Sequence, residues 1–219
     1  MHRLPLAPEG LAFVLAGIVL SVLLGLVAPW LSLVGLLPTL FVVFFFRNPR
    51  RTGPDMPDAL LSPADGTILA VSELAHADFI DGPARQISIF MSLFNAHINR
   101  APLSGDVAWR TYRPGRYLPA FKGHAGELNE RNSLGIVQGT RRVVVSQITG
   151  FIARRIVCDV QTGDHLVQRQ RFGMIRFGSR AELICPANVR LVVRVGDRVK
   201  AGRTVLATFL ESSEVPDAV

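Results

Sequence analysis

The sequence predicts a mostly β protein behind an N-terminal helical hairpin, and three observations lead to that fold class. The chain has 219 residues, and residues 10–46 carry no charged side chain. Short β-like runs separated by Gly, Pro, Asp and Asn then follow one another through the rest of the sequence. No sustained helical period of 3.6 residues occurs after residue 52. We therefore expect a membrane anchor over residues 1–51 and one β-rich domain over residues 52–219, which is large enough for its own core.

The apolar run is longer than one membrane helix requires. No charged residue lies between Glu9 and Arg47, whereas a single transmembrane helix needs about 20 apolar residues. The run suits two short spans, Leu11 to Val27 and Leu31 to Phe46, joined by a turn at residues 28–30. A single tilted span is the alternative. A cleaved signal peptide is disfavoured because its apolar part is only about 7–15 residues long.

Arginines flank the apolar run on both sides. Arg3 precedes it, and Arg47, Arg50 and Arg51 follow it. Because positive residues stay on the cytoplasmic side of a membrane, both ends of the hairpin are expected there. The β-rich domain would then lie on the cytoplasmic side of the cell (inner) membrane. The net charge of +7 would draw it to anionic lipid head groups, and no basic helix or aromatic–basic pattern points to nucleic acid.

The expected strands of the second domain are short, and one short helix is expected around Gly163–Gln170. Cys158 and Cys185 lie in apolar β-like contexts and are expected to be buried and reduced. With no CxxC motif and no Cys/His pair at zinc spacing, no metal site is predicted. The strands are expected at Gly66–Ser72, Gln86–Leu93, Gly105–Tyr112, Ser133–Gln138, Arg141–Ile148, Ile152–Val157, Ala181–Ile184, Val189–Val195 and Thr204–Phe209.

A Gly-Ser pair, Gly178-Ser179, lies between two of these β-like runs. A chain can break this kind of peptide bond by itself. The serine Oγ attacks the preceding carbonyl, and β-elimination followed by hydrolysis leaves a pyruvoyl group. A pyruvoyl carbonyl is an electron sink that supports decarboxylation. Gly-Ser pairs are also common in ordinary turns, so the pair alone does not decide between the two interpretations.

Two further side chains suit proton transfer. His97 follows the apolar strand Gln86–Leu93, and Asp65 lies at the turn that enters the strand at Gly66. A histidine at the end of a strand is well placed to act as a general acid or base. Each residue also has an ordinary structural interpretation, a histidine bonded to backbone and an Asx turn.

The stretch Val195-Gly-Asp-Arg-Val-Lys-Ala-Gly-Arg-Thr-Val-Leu-Ala207 resembles the hammerhead turn of biotinyl/lipoyl-type barrel-sandwich domains, in which G-D-x-V-x-x-G precedes a strand. Residues 62–70 look similar in kind. Carrier domains need a modifiable lysine at a hairpin tip, whereas Lys200 lies inside the V-x-x-G turn. The resemblance therefore implies a barrel-sandwich-like architecture without the carrier function.

Four motifs and the end of the apolar region together resemble one family. The motifs are S-P-A-D-G-T-I at residues 62–68, F-N-x-H-x-N-R-A-P-x-S-G at 94–105, N-E-R-N at 129–132 and F-G-M-I-R-F-G-S-R at 172–180, behind F-F-R-N-P-R-R at 45–51. In this order they look like phosphatidylserine decarboxylase in its short bacterial form. The resemblance covers essentially the whole chain.

The resemblance implies a proenzyme that cleaves itself between Gly178 and Ser179. Residues 1–178 would form the β chain and residues 179–219 the α chain, and the two chains would remain associated. Ser179 would become the pyruvoyl cofactor. The amine of phosphatidylserine in the membrane would condense with the pyruvoyl carbonyl, and loss of CO2 would give phosphatidylethanolamine.

The resemblance also assigns roles to the two proton-transfer candidates. By position, Asp65 and His97 match the family's Asp-His-Ser arrangement. His97 is then expected to move protons at Ser179, and Asp65 to orient a partner or tune its charge. Longer members of the family carry two histidines here, whereas this chain has one, so the step that His97 serves stays open. His124 is either a local substitute base or a solvated loop residue.

Residues 112–116 and 129–132 are expected in loops near the site. Arg113 and Arg116, with Asn132, would hold the lipid phosphate, or the arginines would belong to a solvated basic loop. Glu130 and Arg131 are expected to form an ion pair.

Two alternatives stand beside this enzyme, and a homo-oligomer is left open. A membrane-anchored adaptor with a barrel-sandwich domain would need no catalysis, but such adaptors carry a long coiled-coil hairpin and no sustained heptads occur here. A decarboxylase of serine lipids with ether tails would use the same head-group chemistry. The sequence does not decide between the two kinds of lipid tail.

Overall fold

The structure, a computed structural model, describes residues 5–121, 125–151, 155–176 and 179–210 of the chain. It divides into two compact units, Met1–Arg50 and Arg51–Val219. The predicted His124 and Gly178 lie outside the described residues.

The first unit contains a helical hairpin. Helix α1 spans Leu11–Val27 and helix α2 spans Ser32–Phe45, with short 3-10 turns at Pro8–Gly10 and Pro29–Leu31. The helices approach closely because small residues face each other. A Cβ added at Gly35 would lie 2.5 Å from the Oγ of Ser21, which is the kind of contact that lets apolar helices pack backbone to backbone.

The predicted hairpin is confirmed nearly to the residue. Most large apolar side chains of α1 and α2 are exposed in the chain by itself, among them Leu26 and Leu37. The segment Pro8–Val27 is long and apolar enough to cross a membrane, whereas Pro29–Phe45 is shorter. An apolar helix that exposes such side chains fits a lipid surrounding better than water.

In the part of the chain that the structure describes, the second unit consists of short antiparallel strands and one short helix, α3 at Ala125–Leu128. The strands are β1 Ala59–Leu61, β2 Gly66–Leu74, β3 Ala84–Met91, β4 Ile98–Arg100, β5 Gly105–Arg113, β6 Arg131–Gln138, β7 Arg141–Ile148, β8 Ile156–Cys158, β9 His165–Leu166, β10 Arg171–Ile175, β11 Ser179–Pro186, β12 Val189–Leu191, β13 Arg198–Val199 and β14 Val205–Phe209.

One curled sheet of eight strands dominates this unit, in the order β13-β2-β3-β11-β7-β6-β5-β9. Two three-stranded sheets, β1-β14-β12 and β4-β10-β8, complete it. Side chains alternate between the two faces of the large sheet. The inner face carries the apolar core, which includes Ile89, Val145 and Leu183, all with at most 1% exposure. The mostly β class is therefore confirmed.

The two similar stretches of the sequence lie against each other. The N–H of Ser62 donates to the carbonyl of Thr204 (2.8 Å), and the N–H of Gly202 donates back to the carbonyl of Ser62 (2.8 Å). Ile68 forms a second reciprocal pair with Asp197 and Gly196, at 2.9 Å each. The hammerhead-like segment is thus held by backbone bonds to the segment that contains Asp65.

The expected helix at Gly163–Gln170 is wrong. His165–Leu166 form a short strand that pairs with β5, and turns flank it. Gly163 has φ of 98° and Arg169 has φ of 73°, values outside the right-handed helical region. The expectation for the cysteines is only partly met, because both are free, but Cys158 is half-buried while Cys185 is buried.

Candidate active site

The register of the eight-stranded sheet brings Ser179 and Asp65 to one end of its strands, and His97 lies in the segment that follows one of these strands. Ser179 is the first residue of β11 and lies opposite Met91, the last residue of β3. The next pair along places Phe90 opposite Thr67, near the start of β2, and Asp65 directly precedes that strand. His97 follows β3 after a short turn and directly precedes β4. Ser179 is thus brought close to segments that lie far from it in the sequence.

Ser179 is fully buried. It lies on the inner face of β11, in the same alternation as Ala181 and Leu183 of the core. Its Oγ lies 3.3 Å from the thioether sulfur of Met91. A thioether accepts hydrogen bonds only weakly, so this hydroxyl is not held by a strong acceptor.

His97 is also fully buried. Its Nδ1 lies 3.0 Å from the carbonyl oxygen of Asn95. Because a carbonyl can only accept, this contact places the proton of the neutral ring on Nδ1 and the lone pair on Nε2. The carbonyl of His97 accepts from the N–H of Ile175 (3.2 Å) in β10, the strand that leads towards Ser179.

Asp65 is held by two partners. Its carboxylate accepts from Arg51 Nη2 at 3.0 Å (Oδ1) and 2.8 Å (Oδ2), and Oδ1 also accepts from the backbone N–H of Ala201 at 2.8 Å. The side chains of Arg51 and Asp65 are 8% and 11% exposed. Charge-assisted bonds of this kind fix a carboxylate in place. The main contacts of the Asp65 side chain are therefore with Arg51 and Ala201, and they are not those of an Asx turn.

A second arginine lies in the electrostatic field of Asp65. Burial lowers the pKa of Arg100 to about 10, the positive charges of Arg51 and Arg171 act in the same direction, and Asp65 opposes them. Arg100 also donates from Nη1 to the carbonyl of Arg169 (2.9 Å). The Asp65 region is therefore rich in buried positive charge. Apart from the cluster of basic residues after the apolar run, no sequence pattern pointed to the Arg51 contact.

The outer face of the same sheet carries a buried ionic network centred on Glu182. Its side chain is fully buried, and its two carboxylate oxygens accept from Arg131 (2.6 Å) and Arg180 (2.8 Å). Arg131 also donates to Ser146 (3.1 Å), and Ser88 lies 3.4 Å from the Glu182 carboxylate. Sequence analysis missed this network. The available signal was a charged residue inside the apolar run Ala181–Ile184.

The three predicted phosphate-binding residues do not come together. Arg113 ends β5 and lines an outer-face cavity of about 370 Å³, where it donates to the carbonyl of Glu127. Arg116 is exposed and forms an isolated bridge with Asn129. Asn132 is buried on the inner side of β6. The expected loop position is thus wrong for Arg113 and Asn132, because both belong to strands.

The expected ion pair of Glu130 with Arg131 is also wrong. These neighbours point to opposite faces of the sheet, as successive residues at a strand do. Arg131 pairs with Glu182, and Glu130 accepts from the hydroxyl of Tyr112 (2.8 Å). That hydrogen bond, together with slight burial and the charge of Glu130, raises the pKa of Tyr112.

Comparison with known proteins supplies the family. A sequence model described as phosphatidylserine decarboxylase matches residues 39–207. A phosphatidylserine decarboxylase proenzyme of Carboxydothermus hydrogenoformans is 51% identical over 199 residues, covering 90% of this chain and 93% of the relative. A proenzyme of the same name from Symbiobacterium thermophilum is 46% identical over 210 residues, covering 94% and 96%.

A half-barrel β domain with Ser179 at the end of a strand, together with these relatives, defines the class of protein: the chain is an enzyme, a carboxy-lyase. Within that class it belongs to the phosphatidylserine decarboxylase family, as the resemblance of its four motifs predicted. Membership of an enzyme family removes the non-catalytic adaptor from consideration.

Proposed function

We propose that the chain is a self-processing, pyruvoyl-dependent enzyme that converts phosphatidylserine to phosphatidylethanolamine and CO2. The observation that carries this proposal is the position of Ser179 and Asp65 at one end of the strands of the large sheet, with His97 in the segment that follows β3. The family supplies the reaction type, and this end of the strands supplies a buried serine hydroxyl and a carboxylate, with a histidine in the segment that follows.

Self-cleavage begins with the Oγ of Ser179. The oxygen adds to the carbonyl carbon of Gly178, the C–N bond breaks, and the hydroxyl proton passes to the Ser179 nitrogen, which leaves an ester. A base then removes the α-proton of Ser179, and the Cβ–Oγ bond breaks. The oxygen departs with its electron pair as part of the new Gly178 carboxylate. Water hydrolyses the resulting enamine–imine, which releases ammonia.

A pyruvoyl group at residue 179 would supply a carbonyl that acts as an electron sink for decarboxylation of the lipid head group. His97 is assigned the proton transfers at this centre, since its Nδ1 contact leaves the lone pair of the neutral ring on Nε2. Asp65 is assigned the stabilisation of positive charge nearby, because Arg51 and Arg100 both interact with it.

The two products of cleavage would stay associated. Strand β11 would begin the α chain, and it pairs along its length with β3 and over five positions with β7, both in the β chain. Strand β14 of the α chain pairs with β1, and β13 pairs with β2. Loss of one peptide bond leaves these hydrogen bonds intact, so the cut protein is expected to keep its core.

The hairpin fits an enzyme whose substrate is a membrane lipid. Its apolar helices α1 and α2 would anchor the chain, and Arg3, Arg47 and Arg50 at its two ends favour a cytoplasmic catalytic domain at the inner membrane. Arg113 and Arg116 stay candidates for lipid contact, and both contact the backbone of residues 127–129.

The test is the intact mass of the purified full-length protein, with Ser179→Ala and His97→Ala beside the wild type. The wild type should give two fragments, the smaller one starting at a blocked residue 179, because only Ser179 can supply Oγ. Ser179→Ala should remain one chain. Cleaved wild type should then release CO2 from phosphatidylserine in mixed micelles, and His97→Ala should lose at least tenfold in cleavage, in decarboxylation, or in both.

A single uncut chain in folded wild type would refute self-processing. Fragments without a blocked terminus would refute the pyruvoyl group while leaving cleavage in place. Normal cleavage and normal decarboxylation in His97→Ala would refute only the role of His97 and would leave the other parts of the proposal in place.

A further inference from the structure

Three buried side-chain amides form a continuous chain beneath the inner face of the sheet. Asn132, Gln147 and Asn99 are each at most 1% exposed. Nδ2 of Asn132 donates to Oε1 of Gln147 (3.0 Å), and Nε2 of Gln147 donates to Oδ1 of Asn99 (3.0 Å). The chain leads from β6 through β7 to β4, next to the strand end where Ser179 lies.

The direction of the hydrogen bonds along these three amides is set at two points, by one group that can only donate and one that can only accept. Arg110 donates from Nε to Oδ1 of Asn132 (3.2 Å), and a guanidinium has no acceptor. The carbonyl of Val157 accepts from Nε2 of Gln147 (3.1 Å), and a carbonyl has no donor. Asn132 must therefore present its oxygen to Arg110, and Gln147 must present its nitrogen to Asn99.

It follows that Asn99 must turn its own nitrogen away from Gln147. Nδ2 of Asn99 lies 3.9 Å from the sulfur of Met91, and Oγ of Ser179 lies 3.3 Å from the same sulfur. A buried amide N–H normally finds a full acceptor, whereas a thioether sulfur at this distance is a weak one. Among the described residues, this strong donor has no strong acceptor, and it approaches the same sulfur as the Ser179 hydroxyl.

Space for this arrangement comes from Gly173 of β10. A Cβ at that position would lie 2.9 Å from Nε2 of Gln147 and 2.1 Å from the carbonyl oxygen of Val157. Any side chain there would push apart the contact that orients Gln147. Glycine at position 173, in the motif F-G-M-I, is therefore needed for the orientation of the Gln147 amide as well as for the strand.

We propose that Asn99 is a catalytic hydrogen-bond donor for self-cleavage and that Gln147, Asn132 and Arg110 are positioning residues that keep its donor aimed at Ser179. Negative charge develops on Oγ twice, when the hydroxyl loses its proton during attack and when Oγ leaves Cβ as part of the Gly178 carboxylate. Asn99 Nδ2 donates to Oγ at both moments, and Met91, a flexible side chain, moves aside to let the two atoms meet. This inference rests on the proposed self-processing.

The first variant is Asn99→Asp, which keeps the shape of the side chain. Its Oδ1 can still accept from Gln147, but the ionised second oxygen faces Ser179 as an acceptor. Removing one donor to a developing oxyanion slows such reactions by about 10²–10³-fold, and we expect at least tenfold slower cleavage at neutral pH. Burial raises the pKa of a carboxyl, so protonation at lower pH restores an O–H donor and should recover part of the rate.

The second variant, Gln147→Glu, changes the donor without touching Asn99. A glutamate at 147 still accepts from Asn132, but it has no N–H for Asn99. Asn99 should then reverse, with its nitrogen towards residue 147 and its oxygen towards Ser179. Slower cleavage with partial recovery at low pH is expected again, because a protonated carboxyl at 147 can donate to Asn99.

Gln168→Glu is the matched control. Gln168 is a buried amide whose Nε2 donates to the carbonyls of Met56, Ala59 and Pro102 at 2.9–3.1 Å, and it has no hydrogen bond to the amide chain. This change also buries an acid, so it should lower thermal stability without giving a cleavage rate that rises as pH falls, relative to wild type.

Full-length chains are made by cell-free translation with detergent micelles, and the uncut fraction is followed by gel at several pH values. Each variant's rate is divided by the wild-type rate at the same pH. Wild-type rates for both Asn99→Asp and Gln147→Glu would overturn the inference while leaving self-processing intact. Equal slowing by Gln168→Glu, with the same pH profile, would also overturn it. An uncut wild type would instead count against the proposed function.

Discussion

The two faces of strand β11 differ in the groups that their side chains contact. On the inner face, Ser179 is followed by Ala181 and Leu183, and its Oγ lies against the thioether sulfur of Met91, which the Asn99 amide also approaches. On the outer face, Arg180 and Glu182 belong to a buried ionic network with Arg131. Adjacent residues of one strand thus lie against a neutral thioether in one case and within a buried ionic network in the other.

This difference follows from what each face must do. A hydroxyl that must become an alkoxide gains from donors whose hydrogen bonds strengthen as charge develops on the oxygen. The outer face carries no reacting group, so both carboxylate oxygens of Glu182 can accept hydrogen bonds from Arg131 and Arg180. We infer that the outer network stabilises the fold and that the inner face is kept for chemistry.

The largest expected effect is on the outer face. Glu182→Gln keeps the shape of the side chain but leaves Arg131 and Arg180 buried with no compensating charge, and its amide nitrogen faces one of them. Removing one partner of a buried ion pair costs about 3–5 kcal/mol. Urea unfolding in detergent micelles should show this loss, measured in the uncut Ser179→Ala background so that one chain unfolds.

An exposed ion pair provides the control for that measurement. Glu73 lies 3.6 Å from Arg85, and its side chain is 83% exposed. Glu73→Gln should change the free energy of unfolding by less than about 1 kcal/mol. If Glu182→Gln were equally mild, the outer network would not be a main support of the fold and the comparison of the two faces would fail.

A smaller loss is expected on the inner face. Met91 is fully buried beside Ser179, and Met91→Ala should cost about 2–5 kcal/mol through lost contacts and the cavity left behind. Met91→Leu conserves most of the volume and should cost less than about 1.5 kcal/mol. The same urea unfolding experiment measures both. A large loss in Met91→Leu would show that the sulfur contacts stabilise the fold and do not merely fill space.

Much of the fold was predictable because local signals are strong in some segments. The limits of α1, Leu11–Val27, and of β7, Arg141–Ile148, agree with the sequence prediction. The apolar length and the Pro29 turn define the first, and an uninterrupted Val-rich run defines the second. In contrast, the short strands β4 and β10 form by pairing with each other, which no local pattern predicts. Gly163, the first residue of the expected helix, has a φ outside the right-handed helical region.

The candidate site was predictable only where a motif marks it. The order of the motifs pointed to Asp65, His97 and Ser179. Strand register brings Ser179 and Asp65 to one end of the strands, and His97 lies in the segment that follows β3. The partner of Asp65 is Arg51, 14 residues away, and no local pattern links the two. Asn99 lies inside a motif, but its role depends on a hydrogen-bond direction that Arg110 sets through two other amides.

The smallest effect concerns the two cysteines, and it tests whether the inner face is closed. Burial raises the pKa of Cys185 to about 12, with Arg85 acting weakly against it, so this thiol stays protonated and unreactive in the folded protein even at pH 9. Cys158 is half-buried. A thiol reagent such as DTNB should therefore label one thiol per folded chain and two in urea.

The proposed cleavage makes this assignment direct, because Cys158 would lie in the β chain and Cys185 in the α chain. The mass of each fragment then identifies the labelled thiol, and Cys158→Ser should leave no reactive thiol in the folded protein. Labelling of Cys185 as fast in the folded protein as in urea would mean that reagent reaches the inner face of β11. In that case the surroundings of Ser179, on the same face of the strand, would be open to water, and the contrast between the two faces would not hold.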